Sequence, residues 1–375
     1  MRNRLHELHA AGQSAWLDYI DRTMLLDGSL ARRIRDDALM GMTSNPTIFE
    51  KALAEGTAYD EELLSLPADA SAGARFEQVA SSDVRMACDA FRGVYDATDG
   101  LDGYVSLEVS PTVANDASGT IEEAHRLWRL VDRPNCMIKV PGTVAGAAAV
   151  EQLIADGLNV NVTLLFSLEA HRRVIDAYLA GLRHRAARGL DLSRIASVAS
   201  FFISRVDSEI DKRLDAMSAA EPARATALAA LKGEAAIANA RLAYRLVQAS
   251  FSGPDWQTLA DQGARVQRPL WASTSTKNPA YRDVLYVEAL IGPDTVNTLP
   301  PATLEAFRDH GETERSVDRG VDKAERTLAA LEAEGISIRE VTELLLQQGL
   351  ASFDASYRSL LDGIDRKSRS LATSA

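Results

Sequence analysis

Short apolar segments that alternate with helical patterns predict an α/β protein. Eight segments have the length and apolar character of buried strands, and helical patterns such as 146–155, 168–187 and 302–308 separate them. Alternation of this kind is typical of parallel β/α units. Eight units favour a closed (β/α)8 barrel of the TIM type over the alternative, an open doubly wound sheet. The predicted strands are 14–19, 39–43, 104–109, 137–140, 158–165, 196–202, 268–272 and 295–299.

The chain is longer than a minimal barrel, and the excess lies in helical segments. With 375 residues it exceeds the roughly 250 that a barrel of this kind typically needs. No repeat or low-complexity linker marks a boundary, so we expect a single domain spanning 1–375. Helical insertions are predicted at about 54–95 and 219–251, and a C-terminal helical extension at about 314–375.

Charge and cysteine content restrict the classes of partner and the compartment. The chain carries 41 Lys and Arg against 53 Asp and Glu, a net charge of −12, which gives no general attraction to nucleic acid or an anionic membrane. Two cysteines, Cys88 and Cys136, do not form a disulfide framework and fit a reducing compartment. No signal-peptide core or membrane-spanning apolar run is present, so a cytoplasmic protein is expected.

Neither a metal nor an organic cofactor is expected. The six histidines form no HExxH motif and no Cys/His cluster. No GxGxxG follows a predicted strand, and no Walker loop is found. Trp271 fits either the floor of a pocket or the apolar core.

Polar side chains occupy strand positions where a barrel is usually apolar. Side chains alternate across a strand, so Asn159, Asn161 and Thr163 share one face while valines and a leucine share the other. The apolar face of a parallel barrel packs against the helices. The polar face is therefore predicted to point into the barrel, either as a pocket wall or as a set of mutually bonded polar groups.

Three charged residues likewise occupy inner-face positions, each on a different predicted strand. Lys139, Glu108 and Asp18 each lie between apolar neighbours near a strand's C-terminal end, where barrel enzymes place their chemistry. A structural ion cluster is the alternative. A neutral lysine attacks a carbonyl to form an iminium that permits carbon–carbon cleavage, and burial can bring a lysine pKa down to about 7–8. One lysine with two acids thus predicts a Schiff-base aldol site, with Lys139 as the nucleophile.

Several motifs, in order along the chain, resemble those of the transaldolase family. TSNPTIFEKA is similar to its N-terminal signature, and CMIKVPGT to the block around its Schiff-base lysine. NVNVTLLFS, SFFISRVD and WASTSTKNP resemble further family segments, and GQSAWLDYI resembles the actinobacterial and cyanobacterial type. The resemblance runs from about residue 12 to the end. It implies a (β/α)8 barrel that transfers a dihydroxyacetone unit between sugar phosphates in the non-oxidative pentose phosphate pathway, with no cofactor.

The resemblance also assigns roles to individual residues. Lys139 is similar to the Schiff-base lysine, Asp18 to the acid/base aspartate and Glu108 to a glutamate that acts through a water. The resemblance implies a substrate-binding set consisting of Thr43, Asn45, Asn161, Thr163, Ser200, Phe202, Arg205 and Ser273, with Arg205 on the phosphate. Where the family often has an arginine two residues after the serine, this chain has Ser275, and the nearest cation is Lys277. Lys277 is therefore the candidate second phosphate ligand.

Two other functions remain as alternatives. A fructose-6-phosphate aldolase shares the barrel and the lysine, but such enzymes are shorter and typically carry glutamine in place of Glu108 and tyrosine in place of Phe202. A catalytically dead barrel used for binding would lack the lysine or an acid, and both are present. The sequence is compatible with a monomer or a homodimer.

Overall fold

The computed structural model describes residues 3–54 and 56–374, and its centre is a closed barrel of eight parallel strands in sequence order. Strand β1 pairs with both β2 and β8, which closes the barrel. The strands are β1 Gln13–Asp18, β2 Gly41–Thr43, β3 Tyr104–Glu108, β4 Cys136–Pro141, β5 Val160–Leu165, β6 Ser197–Phe202, β7 Arg268–Ala272 and β8 Thr295–Leu299. The predicted (β/α)8 fold is confirmed.

Helices surround the barrel on its outer face. Those of the first half are α1 Arg4–Ala10, α2 Arg22–Leu26, α3 Ser29–Asp36, α4 Pro46–Ala54, α5 Asp60–Ser65, α6 Ala72–Ala97, α7 Ala117–Val131 and α8 Val144–Asp156. Those of the second half are α9 Leu168–Ala187, α10 Ser204–Ala220, α11 Ala225–Ala229, α12 Ala235–Ser250, α13 Pro254–Ala260, α14 Leu285–Glu288, α15 Pro301–His310, α16 Val321–Ala333 and α17 Ile338–Ser374. Short 3-10 helices cover Pro111–Val113 and Pro222–Arg224. Among the described helices, none combines the length and the apolar character needed to cross a membrane.

Each predicted strand corresponds to one observed strand, with shifts at the ends. Strand β5 begins at Val160, two residues later than predicted, because the chain is still leaving α8 at Leu158, whose amide bonds Leu153 O. Asn159 stays below the strand, where its amide donates to Pro134 O and Cys136 O. It therefore ties the starts of β4 and β5 together, one residue before the strand that carries Asn161.

A polar network fills the N-terminal end of the barrel. Ser14 and Trp16 both bond to the buried carboxylate of Asp102, at 2.7 and 3.0 Å. Arg268 of β7 reaches the same carboxylate at 3.2 Å and donates to Ser14 Oγ at 2.6 Å. The Trp16 ring fits because its neighbour is Gly41, where a Cβ would come within 2.6 Å of the ring. These groups plug one end of the barrel, so the pocket lies at the other.

The outer faces of the strands pack into the helical layer. Trp271 shows the arrangement: its indole donates to Leu290 O at 3.0 Å and its ring lies 6.4 Å from that of Phe201. Of the two interpretations of Trp271, the core one is therefore correct. The long helix α17 contacts α4, α5, α6, α10 and β5, which brings the C-terminal segment to the mouth of the barrel.

Candidate active site

A cavity of about 160 Å³ opens at the C-terminal end of the barrel strands. Its walls contain all the predicted site residues except Glu108 and Asn161. A larger groove of about 510 Å³ lies outside the barrel between α4, α5 and α17 and contains none of them. The residues that line the cavity are Asp18, Thr43, Asn45, Lys139, Thr163, Ser200, Phe202, Arg205, Ala272, Ser273, Ser275, Lys277, Thr298, Pro300 and Phe353.

Lys139 reaches the floor of this cavity from β4. Its side chain is buried, and Nζ lies 3.2 Å from Glu108 Oε2 of the neighbouring strand β3. Nζ also donates to the carbonyl of Ser44 at 3.1 Å. The register explains the first contact, because Glu108 and Lys139 are directly paired across the two strands. The amine is thus held in place by one carboxylate and one carbonyl.

Glu108 is buried and Asp18 is half-buried, and removal from water is the main influence on the protonation of both acids. Burial raises the pKa of Asp18, against the lowering effects of the Lys139 charge and the Thr43 hydroxyl. Burial likewise raises the pKa of Glu108, against the Lys139 charge, and the nearby Asp18 charge raises it further. Two carboxylates beside one ammonium cannot both be fully neutralised by it, so the group is suited to holding and exchanging a proton.

Glu108 borders a second, much smaller space. That space measures about 10 Å³, close to the volume that one water requires, and lies between β3, α4 and α17. Apart from the Lys139 ammonium at 3.2 Å, Glu108 Oε2 has no polar partner among the described residues. This oxygen is available to a water or a substrate hydroxyl.

A chain of hydroxyl groups leads to Asp18. Thr43 Oγ1 donates to Asp18 Oδ1 at 2.8 Å, and it lies 2.6 Å from Thr298 Oγ1 of β8. When Asp18 is ionised, the single proton of Thr43 is used on the carboxylate. Thr298 must then donate to Thr43, so the direction of both bonds is fixed.

Polar groups of β5 and β6 form the adjoining wall. Asn161 donates to Ser106 Oγ at 3.0 Å and accepts from Ser200 Oγ at 2.7 Å, so both ends of its amide are oriented. Asn161 is fully buried behind the cavity surface. Thr163 lines the cavity, and its buried hydroxyl has no partner among the described residues. This unpaired hydroxyl is available to a ligand.

Asn45 stands at the start of α4, on the rim of the cavity. Its side-chain oxygen accepts from Ile48 N at 3.0 Å and so caps the helix that Pro46 begins. The cap fixes the orientation of the side chain, since the oxygen is already used. Its amide nitrogen has no hydrogen-bond partner within the part of the chain that the structure describes, so it can donate to a ligand.

Two cations without a carboxylate partner lie at the open side of the cavity. Arg205 lies in the first turn of α10 with its guanidinium over the Phe202 ring, 5.6 Å from the centroid, and burial lowers its pKa. Lys277 is exposed and donates to Ser275 Oγ at 2.7 Å. Although the residue as a whole is exposed, partial removal of its ammonium from water at the cavity wall, and then the Arg205 charge, lower the pKa of Lys277. Neither cation has an ion pair among the described residues, although the chain as a whole is acidic. The pair is therefore suited to an anionic ligand.

The loop after β7 brings Lys277 to this position. Ser273 adopts a left-handed conformation with φ 57°, and its hydroxyl lies 3.0 Å from Ser204 Oγ at the start of α10. Farther along, Tyr281 donates to Asp211 of α10 at 2.5 Å. The loop is thus fixed to the helix that carries Arg205, which keeps the two cations on one side of the cavity.

Three contributors to the site were not identified from the sequence. Ser44 acts through its backbone carbonyl, which no side-chain pattern reveals. Thr298 could have been found, because it is a polar residue near the C-terminal end of a predicted strand, as Asp18 is. Phe353 comes from α17, and in the sequence it is one apolar residue among several in a predicted C-terminal helix.

Together these features define a class of protein: a β/α-barrel enzyme with a buried lysine, two neighbouring acids and a cationic side of the cavity. The sequence profile of the family "Transaldolase/Fructose-6-phosphate aldolase" matches residues 15–364. A transaldolase of Frankia alni is 48% identical over 97% of each chain, and one of Thermobifida fusca is 49% identical over 97% of this chain and 98% of its own. A protein of a Nostoc species named Transaldolase 2 is 46% identical over 99% of each chain. The chain belongs to the transaldolase/fructose-6-phosphate aldolase family and is an enzyme of the transaldolase kind.

Proposed function

We propose that the enzyme transfers a dihydroxyacetone unit from a ketose phosphate to an aldose phosphate through a Schiff base on Lys139. The donor is sedoheptulose 7-phosphate or fructose 6-phosphate, and the acceptor is glyceraldehyde 3-phosphate or erythrose 4-phosphate, as in the non-oxidative pentose phosphate pathway. The observation that carries the proposal is the contact of the buried Lys139 amine with Glu108 at 3.2 Å, in a cavity that also holds Asp18.

The reaction begins with addition of the neutral Lys139 amine to C2 of the ketose. Loss of water from the carbinolamine gives an iminium, and Glu108, acting through a water, supplies and removes the protons of this step. Asp18 then takes the proton of the C4 hydroxyl, and the C3–C4 bond breaks. The bond's electron pair passes into the iminium and leaves an enamine on Lys139, while the aldose phosphate departs.

The second half runs in reverse with a new aldose phosphate. The enamine carbon attacks the acceptor carbonyl, and Asp18 returns its proton to the oxygen of the new alcohol. Asn161, Thr163 and Asn45 would hold the hydroxyl groups of the three-carbon unit between the two steps. Their polar atoms are either oriented by neighbours or unpaired, which suits this task.

The phosphate is assigned to the cationic side of the cavity. Arg205 provides a planar donor pair that matches phosphate oxygens, and Lys277 adds a second positive charge. Ser200, Phe202 and Ser273 would line the path between the phosphate and the reacting carbon. Support comes from the lack of any acidic partner for either cation within the described chain.

Fructose-6-phosphate aldolase is the alternative, because the family name covers both activities. It would cleave the donor and release dihydroxyacetone without an acceptor. Two positions favour the transferase: Glu108, a carboxylate paired with Lys139, and Phe202, which offers no hydroxyl near the reacting carbon. The relatives from Frankia alni and Thermobifida fusca are named transaldolase, and this chain aligns with nearly their whole length.

The test is reduction of the enzyme with borohydride in the presence of fructose 6-phosphate, followed by peptide mapping. A three- or six-carbon adduct is expected on the peptide that contains Lys139. An adduct on Lys51, Lys212 or Lys277 instead would refute the assignment. Transfer to erythrose 4-phosphate should greatly exceed release of free dihydroxyacetone, and the opposite ratio would establish the aldolase.

We further propose that the enzyme works in the cytoplasm, as a monomer or a homodimer, and on small sugar phosphates rather than nucleic acid or membranes. Cys88 and Cys136 are free and buried, which suits a reducing compartment. The net charge of −12 argues against polyanionic partners.

A further inference from the structure

The C-terminal helix α17 lies across one side of the barrel mouth and is fixed at several points. Gly349 packs so closely on Leu164 of β5 that a Cβ would come within 2.9 Å of its side chain. Ser356 Oγ accepts from Thr47 Oγ1 of α4 at 2.8 Å. Lys367 forms an ion pair with Asp60 of α5 at 2.8 Å. These contacts with β5, α4 and α5 hold α17 in place, so that it covers one side of the barrel mouth like a roof.

One side chain of this roof enters the cavity. Phe353 lies between the anchor points of Gly349 and Ser356, is 6% exposed, and lines the cavity with Lys139. The centre of its ring is 5.9 Å from Lys139 Nζ. Of the described residues that line the cavity, the other aromatic one is Phe202, which lies against Arg205. The two rings therefore serve different ends of the site: one borders the amine and the other the phosphate-binding arginine.

We propose that Phe353 is a positioning residue that shields the Lys139 adduct from water and so favours transfer of the three-carbon unit over its release. The inference rests on the proposed function. An apolar ring beside the amine occupies volume that water would otherwise fill, and it offers no hydrogen bond to hold a water there. Among the described residues that line the cavity, the polar ones come from the barrel strands and the segments that directly follow them, whereas Phe353 is the contribution of α17.

The side reaction that the ring suppresses is hydrolysis of the covalent intermediate. A proton adds to the free carbon of the enamine, and water adds to C2 of the resulting iminium. The C2–N bond then breaks, which releases dihydroxyacetone and returns the Lys139 amine. Transfer and release therefore both start from the same intermediate, the enamine on Lys139. Their ratio reports the access of water independently of how fast the intermediate forms.

The experiment measures that ratio in a graded series: Phe353→Leu, Phe353→Val and Phe353→Ala. Each enzyme receives fructose 6-phosphate and erythrose 4-phosphate, and free dihydroxyacetone and sedoheptulose 7-phosphate are quantified in the same quenched sample. Release relative to transfer should increase as side-chain volume decreases, about fivefold or more for Phe353→Ala, with Phe353→Leu near the wild type. The smaller changes keep the test decisive if Phe353→Ala does not fold.

Leu360→Ala is the matched control. Leu360 is a buried residue of the same helix that borders the outer groove and not the cavity. Its truncation should lower thermal stability without changing the ratio. An unchanged ratio throughout the Phe353 series, or an equal rise in Leu360→Ala, would overturn the inference. Failure of wild-type enzyme to form the Lys139 adduct would instead refute the proposed function, so the two failures are distinguishable.

Discussion

The cationic side of the cavity gives a sharp prediction for Arg205→Ala. Arg205 has no carboxylate partner in the described chain and is partly buried over Phe202, so its charge is free for a phosphate. Loss of hydrogen bonds to a charged group costs about 1.5–3 kcal/mol. That is roughly a 10–150-fold loss of transition-state binding. Lys277 is exposed and should contribute less, about 1 kcal/mol at most.

The assay compares a phosphorylated and an unphosphorylated substrate at the same chemical step. Rates of borohydride-trapped adduct formation are measured with fructose 6-phosphate and with dihydroxyacetone, because an acceptor would introduce its own phosphate. Arg205→Ala should slow only the first, and Arg205→Lys should fall between it and the wild type because it keeps the charge but not the planar fork. Equal losses with both substrates would show that Arg205 supports the barrel and not the phosphate.

The other predictions concern the amine and its acids. Lys139→Ala should abolish adduct formation and turnover with thermal unfolding close to that of the wild type, and residual trapped adduct would contradict the assignment. Asp18→Asn should reduce carbon–carbon cleavage by about 10²–10⁴-fold yet still give adduct, whereas Glu108→Gln should slow adduct formation itself; wild-type rates in both would disprove the acid/base scheme. Since burial raises the pKa of both acids, activity that needs an ionised carboxylate should be lost with falling pH at a higher pH than the usual carboxyl pKa of about 4. Thr298→Val should shift this loss of activity to still higher pH, because Thr43 is then free to turn away from Asp18 and the ionised carboxylate loses a hydrogen bond. Thr298→Ser should restore the wild-type pH profile. Identical pH profiles in all three enzymes would argue against the hydroxyl chain.

The amino-acid sequence determined the barrel because its signals are local. Strand–helix alternation depends on residues within about ten positions of one another, and all eight strands could be read from apolar runs and their breaks. Strand ends shifted by one or two residues, as at β5, where the exit from α8 decides the start. Lys139, Glu108 and Asp18 were predicted as a site from the same kind of local signal. A charged residue between apolar neighbours is visible in one short segment. Because the C-terminal ends of all parallel strands lie at the same end of the barrel, charged residues at those ends are expected to lie close together.

Contacts between distant segments were decided only by the tertiary structure. The proximity of Thr298 to Thr43 joins residues 255 positions apart, through closure of β8 onto β1 and β2. Phe353 looks like any apolar position of an amphipathic helix, and nothing in its own segment says that α17 crosses the barrel mouth. That path is set by the fit of Gly349 against Leu164 and by the bonds to α4 and α5. Local patterns specify which face of an element is buried, but the partner on that face depends on how whole elements pack.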